Sequence, residues 1–119
     1  MVESIRTRRA FSALSSSRNR GRSGPVWVVR ADAPADPEPS APRRAHVAYA
    51  IGKAAGGAVV RNRLRRRLRA LVSGLERDGA LSPGLYLVGV SPAATTSSFD
   101  DLRRHLASAV SRLTNGGTS

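Results

Sequence analysis

The chain has 119 residues and no cysteine, which excludes disulfides and thiolate metal sites and fits a reducing compartment, the cytoplasm. That length supports one domain with a small core, and no apolar run approaches the roughly 20 residues needed to span a bilayer. Eight acids face twenty bases, nineteen of them arginine, and the resulting charge of +12 points to a polyanionic partner.

Arginine in place of lysine is what a GC-rich genome would produce, and the chain is also rich in Ala, Gly and Pro; that origin does not explain the excess of positive charge. The charge is unevenly placed. Residues 1–30 carry +6, residues 31–42 carry −3, residues 43–60 carry +3, residues 61–69 carry +6, and the last fifty sum to zero. One part of the domain therefore binds while another only folds. Residues 1–119 are expected to form a single polyanion-binding domain, with 1–6 and 32–42 flexible and 114–119 a loose tail.

Residues 1–24 are rich in Arg and Ser, a composition shared with organellar transit peptides. Against that reading, Ile5, Arg8, Arg9, Phe11, Ala13 and Leu14 predict a short helix, roughly 7–15, packing through Phe11 and Leu14. Ser15 to Gly24 reads as a mobile basic loop, either a solvated linker or an arm for phosphates through Arg18, Arg20 and Arg22. Pro25 to Arg30 is β-branched and aromatic and predicts a strand, with Trp27 and Val29 on one face and Val26 and Val28 on the other. Asp32 to Pro42 holds four prolines and three acids and no large apolar residue, so it reads as a flexible connection. Arg44 to Lys53 is a second extended run, alternating Val47, Tyr49 and Ile51 against Ala48 and Ala50. The two runs are expected to pair antiparallel.

Gly56-Gly57 breaks the chain before its most basic stretch, Arg61 to Arg69, in which six of nine residues are arginine. At about 100° per residue, Val60, Leu64, Leu68, Leu71, Val72 and Leu75 share one arc of a helix. Asn62, Arg65, Arg66 and Arg69 lie opposite, and Arg63 and Arg67 flank the stripe. Arg61 projects near the apolar arc but, at the helix start, is expected to splay away. One side of this helix is therefore dry and the other carries concentrated charge. The helix is expected to begin after Gly57 and to stop at Gly79. Leu85 to Val90 predicts a third strand. A last helix starts at Ser98, capped with Asp101 three residues on, and ends at Asn115-Gly116. Phe99, Leu102, Leu106, Ala109, Val110 and Leu113 form its core face. The order helix, strand, strand, helix, strand, helix is that of an α+β domain with helices packed on a small mixed sheet.

Residues for a protein active site are scarce. His46 and His105 lack any metal-ligand spacing; both read as surface or boundary residues. Asp100 and Asp101 stand at a helix start, where the macrodipole favours acids. The serines have no partnered base. A binding surface remains. Membrane binding would need the apolar face of the helix turned to lipid, and a helix-turn-helix would need a companion helix just before it. RNA fits better, because guanidinium groups grip phosphates in forks and stack on exposed bases, with Phe11, Trp27 and Tyr49 expected to supply stacking near the basic helix.

The run Val47-Ala48-Tyr49-Ala50-Ile51-Gly52-Lys53, followed by Gly56 to Arg69 with its Arg61-Asn62-Arg63 core, resembles the protein component of bacterial ribonuclease P. The likeness extends over nearly the whole chain, from a Phe-bearing first helix to the Ser-Phe start of the last. The resemblance implies a fold like domain 2 of ribosomal protein S5, with a left-handed βαβ crossover that is foreign to the usual right-handed rule. It implies an endoribonuclease that removes the 5′ leader of precursor tRNA, with the chemistry done by magnesium held mainly in a catalytic RNA subunit and none held by the protein alone. The protein then has no catalytic residue of its own and works as a monomer within the ribonucleoprotein. By position, Arg61, Asn62, Arg63, Arg65, Arg66, Arg69 and Lys53 match residues that contact RNA. Phe11, Trp27 and Val29 match the cleft that holds the leader, with Arg18 and Arg20 beside it.

Departures from the family pattern are specific. His46 stands where Arg is usual, Ala48 where Gly is, Ala54 at a second Lys, Ser91 at an Arg, and Ser15 at a second aromatic. The arginines of 18–22 are expected to compensate for the missing cations. A ribosomal or general RNA-chaperone protein is the alternative from a non-enzymatic class.

Overall fold

Residues 3–4, 12, 14–31 and 45–113 are described by the computed structural model. Five strands, β1 (Glu3–Ser4), β2 (Asn19–Ser23), β3 (Val26–Ala31), β4 (Ala45–Ile51) and β5 (Gly84–Val90), form one sheet in the order β1-β4-β5-β3-β2. Helix α1 (Ala58–Arg77) joins β4 to β5, and helix α2 (Phe99–Ser111) follows β5. Short 3-10 helices at Lys53–Ala55 and Pro92–Thr96 precede the two helices.

Strand β5 lies parallel to β4 and antiparallel to β3, so the β4–α1–β5 segment is a parallel βαβ unit. The register places Val26 opposite Val90, Val28 opposite Val88 and Arg30 opposite Tyr86, while Val47 partners Tyr86 and Ile51 partners Val90. The apolar residues among these face the helices and join Leu64, Leu68, Leu71, Val72, Leu102, Leu106 and Ala109 in the main core. Each Leu or Val removed from water contributes roughly 1.5–3 kcal/mol, which makes this layer the principal source of stability. The opposite sheet face carries a smaller cluster of Leu14, Val29 and Leu85, with Trp27, Ala31 and Leu87 partly buried against it. Val26 and Val28 thus face away from Trp27 and Val29, as the alternation predicts.

The expected antiparallel pairing of the first two extended runs does not occur, because β5 lies between β3 and β4. The sequence Leu-Tyr-Leu-Val-Gly-Val is apolar on both faces and suits the interior of a sheet covered on both sides. The predicted mobile loop is also corrected: Asn19–Ser23 is a strand paired with β3 through a two-residue turn, Gly24-Pro25. Gly24 adopts φ 53. Gly21 lets the strand rest directly on α2, since a Cβ there would lie 2.0 Å from the Ala109 carbonyl oxygen. Ser23 Oγ lies 3.0 Å from His105 Nδ1, and Arg112 Nη1 donates to the Arg22 carbonyl at 2.6 Å. These tertiary contacts, invisible to a local reading, order the hairpin.

Smaller differences follow the same logic. Glu3–Ser4 pairs parallel with β4 where a flexible end is expected. Helix α2 ends at Ser111, capped by Arg112, short of Asn115-Gly116, which lie outside the described residues. Phe99, expected in the core, is 43% exposed; it holds the first helical position, and burial begins one turn later at Leu102. Of the predicted helix 7–15, Ser12 and residues 14–16 are described and helical, and Leu14 is buried. Phe11, residues 32–42 and residues 114–119 lie outside the described residues.

One arginine of the basic N-terminal third is structural. Arg30 is buried; its Nε donates to the Tyr86 hydroxyl at 3.2 Å and its Nη2 to the Pro83 carbonyl at 2.7 Å. The Tyr86 hydroxyl donates in turn to the Ser82 carbonyl at 2.7 Å.

Candidate RNA interface

Helix α1 is held rigidly at both ends of its charged stretch. Gly57 is the N-cap, in extended conformation, as expected. The C-terminus closes in a Schellman arrangement, with Ala80 N–H donating to the Leu75 carbonyl at 2.8 Å and Gly79 N–H to the Glu76 carbonyl at 3.1 Å. Gly79 at φ 78 supplies the left-handed residue this requires. Between the ends, Leu64, Leu68, Leu71 and Val72 are buried against the sheet, with Leu75 packed beside them.

The dry side fixes the wet side. Asn62, Arg65, Arg66 and Arg69 line a shallow open depression on the outward face. Arg65 Nη1 donates to Asn62 Oδ1 at 2.9 Å, so the amide holds one edge of the guanidinium and leaves the rest of its donors outward. The Arg69 guanidinium carbon lies 5.9 Å from the ring centroid of Tyr49 on β4. Ion pairs among the described residues join Arg103 to Asp100 and Arg104 to Asp101, both on α2, and none involves an arginine of α1. The positive field of α1 is therefore left open to a partner. Arg63 is exposed on the flank of the helix, and Lys53 is exposed in the 3-10 turn before it.

Arg61 departs from expectation. It does not splay free: it is half-buried, and its Nε is sequestered without a hydrogen-bond partner. Its proximity to the apolar arc decides its environment in spite of its place in the first turn.

A second surface forms on the far side of the sheet. Arg20 pairs opposite Val29 and Arg22 opposite Trp27, and directly opposed residues of an antiparallel pair share a face. Both arginines are exposed beside the half-buried indole and the Val29–Leu85–Leu87 floor. Arg18 is exposed just ahead of β2. From β4, register places His46 beside Leu85, Ala48 beside Leu87 and Ala50 beside Gly89 on this same face. The structure thus gathers Trp27, Val29, Arg20 and Arg22 on one face, and adds Leu87 and Gly89. Gly89 had a sequence signal, an isolated glycine within a strand, which marks close approach of another group.

Of the aromatics expected to stack near the basic helix, Tyr49 lies beside it and Trp27 lies on the far face of the sheet. Tyr49 partners Val88, on the helix side, whereas Trp27 partners Gly89, on the other. The two rings cannot form one stacking surface, and Tyr49 serves α1. Burial pushes its phenol up to about 12, against the opposing influence of the Arg69 charge. On α2, Asp101 is held below the usual carboxylate range by hydrogen bonds from Arg104 and from Ser98. The Ser98 hydroxyl also accepts from Asp101 N–H at 3.1 Å, the predicted cap. Among the described residues no three His, Asp or Glu side chains gather into a group able to hold a metal.

Comparison with known proteins places this geometry. The sequence model of the Ribonuclease P family matches residues 2–114. The chain is 40% identical to the ribonuclease P protein component of Streptomyces bikiniensis, over 96% of this chain and 94% of that protein. It is 38% identical to that of Thermobifida fusca, over 87% of this chain and 69% of that protein. In fold it is similar to the RNase P protein of Staphylococcus aureus, with a TM-score of 0.73, 13% identity and 91% and 92% of the two chains covered. The RNase P protein of Thermotoga maritima gives 0.72 and 18%, with 95% and 99% covered. An arginine-faced helix anchored by leucines, on the α+β fold of these structures and with sequence likeness along almost the whole chain, has one explanation: the chain belongs to the ribonuclease P protein family, as the protein component of that endoribonuclease.

Proposed function

We propose that this protein binds the catalytic RNA through α1 and the single-stranded 5′ leader of precursor tRNA through the opposite face of the sheet, and performs no bond cleavage itself. The observation that carries this reading is the placement of two basic surfaces on opposite sides of one sheet. Asn62, Arg65, Arg66 and Arg69 line one; Arg20 and Arg22 border Trp27 and Val29 on the other. A domain built this way holds two RNA segments at a fixed separation, which aligns substrate and catalyst and lowers the entropic cost of their encounter.

Recognition on the two faces differs in kind. Guanidinium groups on a rigid helix suit the fixed phosphates of a folded RNA. An open cleft with an indole and flanking cations suits an unpaired strand, whose bases stack and whose backbone is neutralised at the edge. Lys53 and Arg63, both exposed, extend the first surface at the start of α1. Arg18 continues the second from just ahead of β2.

Magnesium is assigned to the RNA. Two of the described carboxylates have other tasks: Asp100 and Asp101 pair with Arg103 and Arg104 at the start of α2. His105 is engaged with Ser23. None of these groups is left in a cleft with a partner that would poise it as an acid or base. The cytoplasm, where precursor tRNA is found, is the proposed location; no described helix is long and apolar enough to cross a membrane.

The test adds the purified chain to a bacterial ribonuclease P RNA and a leader-bearing precursor tRNA at low magnesium. Restored cleavage at the correct 5′ position is expected. Equal rates with and without the protein would refute the reading.

A further inference from the structure

Tyr49 is the half-buried member of an otherwise buried row. It alternates with Val47 and Ile51 on β4, which are 3% and 8% exposed, and it sits at the rim of the main core. Beyond that rim lies Arg69, exposed on α1, its guanidinium carbon 5.9 Å from the tyrosine ring centroid. A guanidinium stacked on an aromatic face keeps its N–H edge available for a phosphate. The neighbouring Arg65 is held by Asn62. Two of the three arginines lining the depression are therefore restrained, one by an amide and one by a ring.

We infer that Tyr49 is a positioning residue for assembly with the RNA subunit: it holds the Arg69 guanidinium over its ring, at the edge of the depression, before RNA arrives. A long side chain ordered in advance loses less freedom on binding. Tyr49 acts from inside the protein, on the helix side of the sheet, and the inference rests on the reading that the outward face of α1 meets the RNA.

The experiment is a double-mutant cycle on the full-length chain, with binding to a bacterial ribonuclease P RNA measured over a range of salt. Tyr49→Leu keeps apolar bulk and removes the ring; the expected loss of affinity is about two- to fivefold. Tyr49→Phe keeps the ring and is expected to restore parental affinity. In the Arg69→Ala background, Tyr49→Leu is expected to cause no further loss. Additive losses from Tyr49→Leu and Arg69→Ala, or a Tyr49→Phe variant as weak as Tyr49→Leu, would overturn the inference while leaving the α1 interface standing. Parental affinity in Arg69→Ala would instead overturn the interface at that residue, and the role of Tyr49 with it. Thermal unfolding of each variant separates a loss of packing from a loss of positioning, since the Arg69 background abolishes only the latter.

Discussion

The indole of Trp27 occupies the space that a side chain at position 89 would need: a Cβ built on Gly89 would lie 2.0 Å from Trp27 Cζ2 and 2.1 Å from Cε2. The two residues are cross-strand partners between β3 and β5, so glycine on one strand lets the ring cover the centre of the proposed leader cleft. Gly89→Ala is expected to force the indole aside, at a cost of about 1–3 kcal/mol for overpacking. The variant should also bind leader-bearing precursor tRNA more weakly while its affinity for leaderless tRNA holds. Urea unfolding and paired affinities measure the two effects, and a parental result in both would contradict the close approach.

Asn62→Ala and Arg65→Ala are expected to weaken binding to the RNA subunit without lowering thermal stability, because both side chains point away from the core. They should differ in salt dependence. Arg65→Ala removes a cation and should flatten the plot of log affinity against log salt by about one unit if it meets a phosphate. Asn62→Ala removes only the acceptor that steadies Arg65, so its slope should stay near the parental one.

Neutralising Arg20 and Arg22 together, as glutamines, tests the second surface. Each contact to a single-stranded phosphate contributes a slope of about 0.7, so the pair should lower the salt slope for leader-bearing substrate by roughly 1.4 units. Affinity for the RNA subunit is expected to stay parental, since α1 lies across the sheet. Unchanged leader affinity at physiological salt would remove these arginines from the cleft.

Arg30 provides the contrast. Arg30→Met leaves the Pro83 carbonyl without that donor and is expected to cost about 1.5–3 kcal/mol in urea unfolding, the range for a hydrogen bond to a charged group. The salt slope for either RNA should not change, because this guanidinium is buried against Tyr86 and Pro83.

Tyr49 should also mark the alkaline limb of stability. Its phenol is raised from 10.0 to about 12 in the folded chain, so between those values the native state retains a proton that the unfolded state has released. The contribution is complete below pH 10 and is lost as pH rises toward 12. Tyr49→Phe removes this titration. The gap in urea midpoint between parent and variant should therefore stay constant from neutral pH to about 9 and shift against the parent above 10.

Much of this protein is determined locally and so is legible in sequence. A helix of 3.6 residues per turn forces Leu64, Leu68 and Leu71 onto one side and Asn62, Arg65 and Arg69 onto the other, whatever they pack against. Gly79 ends α1 and Ser98 begins α2 through hydrogen bonds that span only a few residues, and alternation separates Trp27 from Val28. The Arg61-Asn62-Arg63 motif needs no coordinates to be noticed. What only the tertiary structure decided is who lies beside whom. The insertion of β5 between β3 and β4 follows from competition among distant segments for one core, and no window of a few residues carries that information. The same competition turned an arginine-rich loop into β2, by laying Gly21 against Ala109. It buried Arg30, and it placed Tyr49 and Trp27 on opposite faces of the sheet. The charge was written in the chain; which arginines are free to meet RNA depended on register and packing, because burial is a property of neighbours that the sequence keeps far apart.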